Sequence, residues 1–224
     1  MKETIRILMT DDHPMIIEGY QNTLLSTKKP NQELIMQTAN NCDESITAMH
    51  RSISRGEHFD VLFIDIKIPP SSDGKFTSGQ DLARYARKIL PEAKIVILTM
   101  FNETYRIHNI VEELKPEGFL IKSDLTSREL ASAFQAILNN PPFYSGTVSK
   151  YLKQTIISDI YLDDKNRRIL YLLSQGVKTK NLAEHIDLSL SGVEKRKKQL
   201  KLLFGIEDGQ DESLIIEAKN LGFI

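Results

Sequence analysis

The sequence predicts an α/β fold with a doubly wound, five-stranded parallel sheet, followed by a small all-helical domain. In the first 140 residues, short apolar runs alternate with helix-length amphipathic segments. The runs are rich in Ile, Val, Leu and Phe and lack polar alternation, which is typical of strands buried on both faces. From Leu162 onward only helical patterns remain. Strands that alternate with helices predict a parallel sheet covered on both sides.

Each predicted element follows from a local pattern. The strands are IRILM (5–9), LIMQTA (34–39), VLFID (61–65), KIVILT (94–99) and GFLIK (118–122). The helices between them are expected over roughly 14–27, 43–54, 79–90, 103–114 and 126–139. Thr126 and Glu129 form a capping pattern at the start of the last of these helices. The prolines of NNPPFYSG (139–146) cannot continue a helix, which predicts a first domain over 1–140, a linker over 141–160 and a helical domain over 161–224.

Composition restricts the class of protein. The chain has 224 residues, enough for one large or two small domains, and its hydrophobic (41%) and charged (26%) fractions are those of an ordinary globular protein. The net charge of −1 gives no whole-chain sign of a polyanionic partner. Cys42 is the only cysteine, which excludes an internal disulfide and fits a reducing compartment. Stretches such as IVIL are too short to span a bilayer, so we expect a cytoplasmic protein without a membrane partner.

Polar residues follow the predicted strands where each one ends. Asp11 and Asp12 follow the first strand, Asp65 ends the third, Thr99 ends the fourth and Lys122 ends the fifth. The carboxyl ends of parallel strands meet at one edge of the sheet, where functional sites of such folds lie. Three carboxylates without cations would disfavour joint ionisation, whereas Mg²⁺ and one lysine would balance them.

The adjacent pair Asp11–Asp12 has two interpretations. One carboxylate can cap a helix that begins at Pro14, or both can serve a divalent cation. The polar residues at the other strand ends favour the cation.

The pattern TDDHP, VLFIDIKIP, ILTM and GFLIKS resembles the receiver domain of two-component response regulators, a flavodoxin-like fold, over nearly all of residues 1–139. The resemblance implies that Asp65 accepts a phosphoryl group. It also implies Mg²⁺ held by Asp12, Asp65 and the backbone carbonyl of Lys67, with Asp11 reaching the ion through water. A haloacid dehalogenase-type hydrolase is excluded, because that group carries Asp-x-Asp on its first strand.

The resemblance further implies that Lys122 and Thr99 contact the phosphoryl oxygens and that Phe119 is the switch aromatic. Three features depart from the pattern. An insertion separates Pro69 from Gly79, Met100 stands where small residues are usual, and Ser123 replaces the frequent proline. None of these departures removes a reactive group.

The helical domain carries a basic stretch from Lys165 to Phe204, in which ten basic residues stand against three acidic ones for a net charge of about +7. A solvated helix face is the alternative interpretation. Within this stretch, NLAEHIDLSLSGVEKRKKQLKLLFGI predicts a helix, a short turn and a second helix over about 190–204.

Residues 162–224 resemble the LuxR-type helix-turn-helix of four helices, and the whole chain resembles the NarL/FixJ family of transcription regulators. The expected DNA contacts are Lys180, Ser191, Lys195, Arg196, Lys198 and Lys201. Gly192 and Glu194 replace the usual Thr and Lys of this family, and Leu202 and Leu203 replace a common Arg-Lys pair. A glutamate can accept a hydrogen bond from cytosine N4, so Glu194 could read a base or could weaken binding.

The expected function is phosphorylation-controlled regulation of transcription, not enzyme catalysis. The expected partners are a sensor histidine kinase, double-stranded DNA and a second copy of the chain in a phosphorylated homodimer. One rival is a signalling adaptor that binds protein partners through a degenerate helix-turn-helix. Another is a DNA-binding protein that is not controlled by phosphorylation.

Overall fold

The computed structural model describes residues 3–100, 104–157 and 162–224. The chain divides into two compact units, the first with residues up to 101 and 110–148, the second with residues 102–109 and 149–224. The predicted domain bounds at 140 and 160 stay a prediction. The predicted first residue of the fourth helix, 103, and the predicted end of the linker, 158–160, lie outside the described residues.

The first unit holds a parallel sheet that confirms the predicted fold class. Its strands are β1 (Glu3–Thr10), β2 (Gln32–Ala39), β3 (Val61–Asp65), β4 (Lys94–Thr99), β5 (Gly118–Ile121) and β6 (Phe143–Tyr144). They lie in the order β2-β1-β3-β4-β5-β6, and all neighbours are parallel. The sequence predicts five strands. It does not predict β6, because two residues carry no period that a pattern could reveal.

The described helices up to residue 157 are α1 (Pro14–Thr27), α2 (Cys42–Arg55), α3 (Gly79–Ile89), α4 (Thr104–Leu114), α5 (Ser127–Asn139) and α6 (Gly146–Ile157), of which α4 and α6 fall partly in the second unit. Their starts follow from local chemistry. The Asn41 side chain accepts a hydrogen bond from the Glu44 amide at the start of α2. Thr126 and Glu129 form the predicted capping box at the start of α5.

One core cluster of the first unit lies between the sheet and the helices α1 and α5. Its buried members include Ile7, Leu24, Phe63, Val96, Leu120, Phe134 and Ile137. Burial of each such side chain contributes about 1.5–3 kcal/mol. This packing fixes the strand register, and the register positions the polar residues at the carboxyl edge.

Over the described residues 162–224, the second unit contains four further helices, as predicted: α7 (Asp164–Ser174), α8 (Thr179–Leu182), α9 (Leu190–Leu203) and α10 (Asp211–Asn220). Leu170, Leu182, Val193 and Leu214 are among the residues of its apolar core. Arg167 is buried, donates to the Leu162 carbonyl at 3.1 Å and to the Tyr151 hydroxyl at 3.0 Å, and lies 5.2 Å from the Phe223 ring centroid. The charge of Arg167 is therefore stabilised by two hydrogen-bond acceptors and by the face of an aromatic ring.

Within the described ranges, no helix combines the length and the apolar character that crossing a bilayer demands.

Candidate functional site

The carboxyl edge of the sheet brings Asp11, Asp65 and Lys122 together. Thr10 pairs with Ile64 in the β1–β3 register, so Asp11 and Asp65 follow on adjacent strands. The Lys122 ammonium lies 2.6 Å from Asp11 Oδ2 and 2.6 Å from Asp65 Oδ2. All three side chains are buried, so this lysine bridges two carboxylates with little water between them.

The ionisation of these groups is coupled. Burial raises the pKa of Asp65, and the hydrogen bond and charge of Lys122 only partly oppose this effect. Burial alone would lower the pKa of Lys122, but the hydrogen bonds to Asp11 and Asp65 raise it. Burial, followed by the charges of Asp11 and Asp65, raises the pKa of Tyr20 to about 12. The edge is therefore rich in negative charge that a cation can balance.

The structure tests the capping interpretation of Asp11 and Asp12. The N-cap residue of α1 is His13, with Pro14 in the first turn, and no side chain makes a capping hydrogen bond. Asp11 Oδ1 instead accepts from the His13 amide at 3.1 Å, and His13 Nδ1 lies 2.7 Å from Asp12 Oδ1. Neither aspartate caps the helix, so the capping interpretation is wrong.

The donor atoms fit a metal ion. Asp11, Asp12, His13 and Asp65 each offer one ligand atom, and these four atoms lie within 4.8 Å of one another. Carboxylate oxygens are the ligands that hard divalent cations prefer. His13 is not among the predicted ligands, although it directly follows two aspartates in the sequence.

The loop after β3 contacts Asp65 at the carboxyl edge of the sheet. The Lys67 amide donates to Asp65 Oδ1 at 3.2 Å, and the Gly79 amide donates to the Ile66 carbonyl at 3.0 Å. A Cβ at Gly79 would lie 1.8 Å from the Asp65 carbonyl oxygen, so only glycine fits there. The role of the Lys67 carbonyl as a ligand stays a prediction.

The inserted segment 70–78 folds against its own neighbours. The Ser72 amide donates to Asp43 Oδ2 at 2.8 Å, which ties the segment to α2. The Phe76 ring packs edge-on against Tyr85 of α3, with 5.1 Å between the ring centroids. The insertion is therefore attached to both helices beside the candidate site.

The remaining predicted residues of the edge are buried or lie beside a cavity. Thr99 is 1% exposed at the end of β4, and Phe119 is 0% exposed within β5. Phe119 pairs with Tyr144 of β6, so it does not lie on an edge strand, and its role as a switch stays a prediction. Lys122 and Met100 line a cavity of about 380 Å³, and Met100 is 66% exposed.

The second unit presents the predicted helix-turn-helix as α8 and α9. The Ser189 hydroxyl caps α9 by accepting from the Gly192 amide at 3.2 Å. Val193, Lys197 and Leu200 form the buried face of α9. The opposite face exposes Ser191, Glu194, Lys195 and Lys198. Lys180, the second residue of α8, is also exposed.

Several cations of the basic stretch are balanced inside the unit. Arg196 donates to Asp163 Oδ2 at 2.6 Å, and Lys197 donates to Asp211 Oδ2 at 2.5 Å. Lys201 lies 2.7 Å from Asp211 Oδ1. Burial would raise the pKa of both aspartates, but the hydrogen bonds from these cations lower it. Arg196 and Lys201 stay predictions as DNA contacts, while Lys180, Lys195 and Lys198 form no ion pair within the described residues.

A parallel sheet with this strand order, followed by a four-helix unit with a helix-turn-helix, is similar in fold to two-domain response regulators. No protein-family model matches the chain. The transcriptional regulatory protein RcsB of Salmonella typhi is 24% identical over 207 residues, which cover 91% of this chain and 90% of that protein.

Two solved structures have the same fold. Two RcsB dimers bound to two parallel DNAs give a TM-score of 0.62 at 22% identity, with 97% of this chain and 98% of that chain covered. RcsB from Salmonella enterica serovar Typhimurium, bound to promoter P1flhDC in the presence of the phosphomimetic BeF3−, gives 0.62 at 22% identity, with 96% and 98% covered. These comparisons confirm the predicted fold class and the resemblance to response regulators.

Proposed function

We propose that this chain is a DNA-binding transcription regulator whose activity is controlled by phosphorylation of Asp65. The observation that carries the proposal is the bridge from Lys122 to Asp11 and Asp65, at the carboxyl edge of a receiver-type sheet. The second support is the set of exposed cations on α9 of the same chain. The transcriptional role of the RcsB relatives agrees with both.

The residues of the edge suit phosphoryl transfer from a phosphohistidine of a sensor kinase. An Asp65 carboxylate oxygen forms the new bond to phosphorus while the bond between phosphorus and the kinase nitrogen breaks. Asp12, Asp65 and the Lys67 carbonyl, with Asp11 through water, would hold Mg²⁺, which would supply charge neutralisation at the phosphoryl oxygens. Lys122 is the second cation, and its ammonium already lies 2.6 Å from the accepting carboxylate.

The phosphoryl group adds about −1.5 to −2 charges to a buried edge, so Lys122 must redistribute its hydrogen bonds from the two aspartates. Thr99, buried at the end of β4, supplies a hydroxyl at the same edge. A shift of these groups changes a packed face, which is the kind of element that has two discrete arrangements. The result is a change in the affinity of the helix-turn-helix for DNA or in dimer formation on paired half-sites.

In the second unit, Lys180, Ser191, Lys195 and Lys198 are the DNA contacts that the exposed face of α9 and its surroundings favour. The adaptor interpretation requires that this face have no DNA function. Salt-sensitive binding to duplex DNA distinguishes the two, because neutralised phosphates release counterions.

The test of the phosphoacceptor is intact-mass spectrometry after incubation with acetyl phosphate and Mg²⁺. We expect the mass of one phosphoryl group to be added to the wild type and to the control Asp73→Asn, which changes an exposed carboxyl group of the insertion. We expect no addition to Asp65→Asn. Equal labelling of Asp65→Asn and the wild type would refute the assignment.

A further inference from the structure

Glu194 is an exposed carboxylate on a helix face that also carries exposed lysines, a serine and the exposed apolar side chains of Leu190 and Leu202. It lies on α9, away from the buried Val193, Lys197 and Leu200. Its neighbour one turn earlier is Ser191, and its neighbour one turn later is Lys198.

Glu194 does not serve the folded unit as a partner for its cations. Within the described residues it forms no hydrogen bond or ion pair, even with Lys198 one turn away. The internal cations Arg196 and Lys201 are balanced instead by Asp163 and Asp211. The carboxylate is therefore available to an external group.

On a surface that faces DNA, a carboxylate without a partner is unfavourable because phosphates repel it. The favourable partner for a carboxylate in the major groove is the cytosine N4 amino group. The N-terminal residues of the second helix of a helix-turn-helix are those that contact base edges, and Glu194 is the fifth residue of α9.

Three of the four residues 189–192 at the start of α9 are small, and the fourth, Leu190, is an exposed apolar residue. Ser189, Ser191 and Gly192 carry small side chains or none, and the Ser189 hydroxyl is already held by the Gly192 amide. The exposed Lys195 and Lys198 lie on the same side as Glu194 and can neutralise phosphates on either side of the groove.

We propose that Glu194 is a specificity-determining residue that selects cytosine at one position of each half-site. This inference rests on the proposed DNA-binding function. Lys195 and Lys198 supply affinity through phosphates, while Glu194 accepts the hydrogen bond that makes one base pair preferred. We expect a preference for cytosine of about tenfold at that position.

The test is selection of bound duplexes from a random library by the full-length protein with Mg²⁺ and beryllofluoride. It compares the wild type with Glu194→Gln, Glu194→Ala and the control Glu212→Gln, which removes an exposed charge of α10. We expect the wild type and the control to select the same motif, with cytosine at one position per half-site. Glu194→Gln is expected to shift that position towards adenine, and Glu194→Ala to lose the preference, with the other positions unchanged.

Two outcomes would overturn the inference, and only the second would also overturn the proposed DNA-binding function. If the wild type selects a motif that both Glu194 variants also select, the carboxylate reads no base and the DNA-binding function stands. In that case tighter binding of the variants to every sequence would identify Glu194 as a source of phosphate repulsion only. If the wild type selects no motif, the proposed function fails together with the inference.

Discussion

Replacement of Gly79 by alanine should strongly destabilise the first unit. The added methyl carbon would lie 1.8 Å from the Asp65 carbonyl oxygen and 2.8 Å from the Asp65 carbonyl carbon. Ordinary contacts of a methyl carbon begin at about 3.4 Å, so the start of α3 or the end of β3 must move by more than 1 Å. Both obstacles are backbone atoms, which no side-chain rotation can relieve.

The magnitude follows from this geometry. Overpacking in a well-packed region costs about 1–3 kcal/mol, and the shift also weakens the hydrogen bond from the Gly79 amide to the Ile66 carbonyl, which is 3.0 Å long. We expect a loss of about 2–4 kcal/mol in the free energy of unfolding. Because Asp65 ends β3, the displacement also reaches the proposed phosphoacceptor, and labelling by acetyl phosphate should slow in protein that remains folded.

The control is Gly19→Ala in α1. A Cβ at Gly19 meets no atom within 4 Å, so the substitution should stabilise the helix by about 0.5–1 kcal/mol. Amide hydrogen exchange of the buried strands β3 and β4 reports the opening free energy of the first unit separately from the second. A value for Gly79→Ala within 0.5 kcal/mol of the wild type would refute the reasoning.

Three further predictions concern the charged groups. Lys122→Ala leaves two buried carboxylates without their cation and should lower the stability of the metal-free first unit by about 2–4 kcal/mol. In thermal unfolding, Mg²⁺ should restore part of this loss. An unchanged stability would contradict the bridge from Lys122 to the two aspartates. Asp211→Asn should lower the stability of the second unit by about 1–3 kcal/mol at neutral pH. Because the pKa of Asp211 is lowered in the folded chain, its stabilising effect is complete above about pH 4 and is lost as pH falls through the folded pKa. In acid titrations monitored by circular dichroism, the wild type should lose this contribution and the variant should not. Lys198→Ala should reduce the slope of log affinity for duplex DNA against log salt concentration by about one unit. Lys201→Ala should leave this slope unchanged, because the Lys201 ammonium pairs with Asp211. Equal effects of the two substitutions would contradict the division between exposed and internal cations.

Much of the first unit could be predicted because its signals are local. The apolar run 61–65 predicts β3 with the same bounds, and Thr126 with Glu129 predicts the start of α5. The grouping of Asp11, Asp65 and Lys122 follows from parallel topology alone, since each residue follows or ends a strand. Residues far apart in sequence could thus be assigned to one edge before any distance was known.

The internal ion pairs could not be predicted from the sequence. Arg196 pairs with Asp163, 33 positions away, and Lys197 pairs with Asp211, 14 positions away. These pairings depend on how α7, α9 and α10 pack, and a charge count cannot distinguish an internal lysine from an exposed one. For the same reason, the net charge counted over the basic stretch is larger than the charge that α9 exposes at its surface.

A selection experiment can show whether a phosphoryl group on Asp65 controls DNA binding. The full-length protein would select duplexes from a random library with Mg²⁺ alone and with Mg²⁺ plus beryllofluoride, a mimic of the phosphoryl group. We expect a palindromic motif that is enriched only with the mimic in the wild type and not enriched with Asp65→Asn. A motif enriched equally in both conditions would contradict control by Asp65, and the absence of any motif would contradict the DNA-binding function itself.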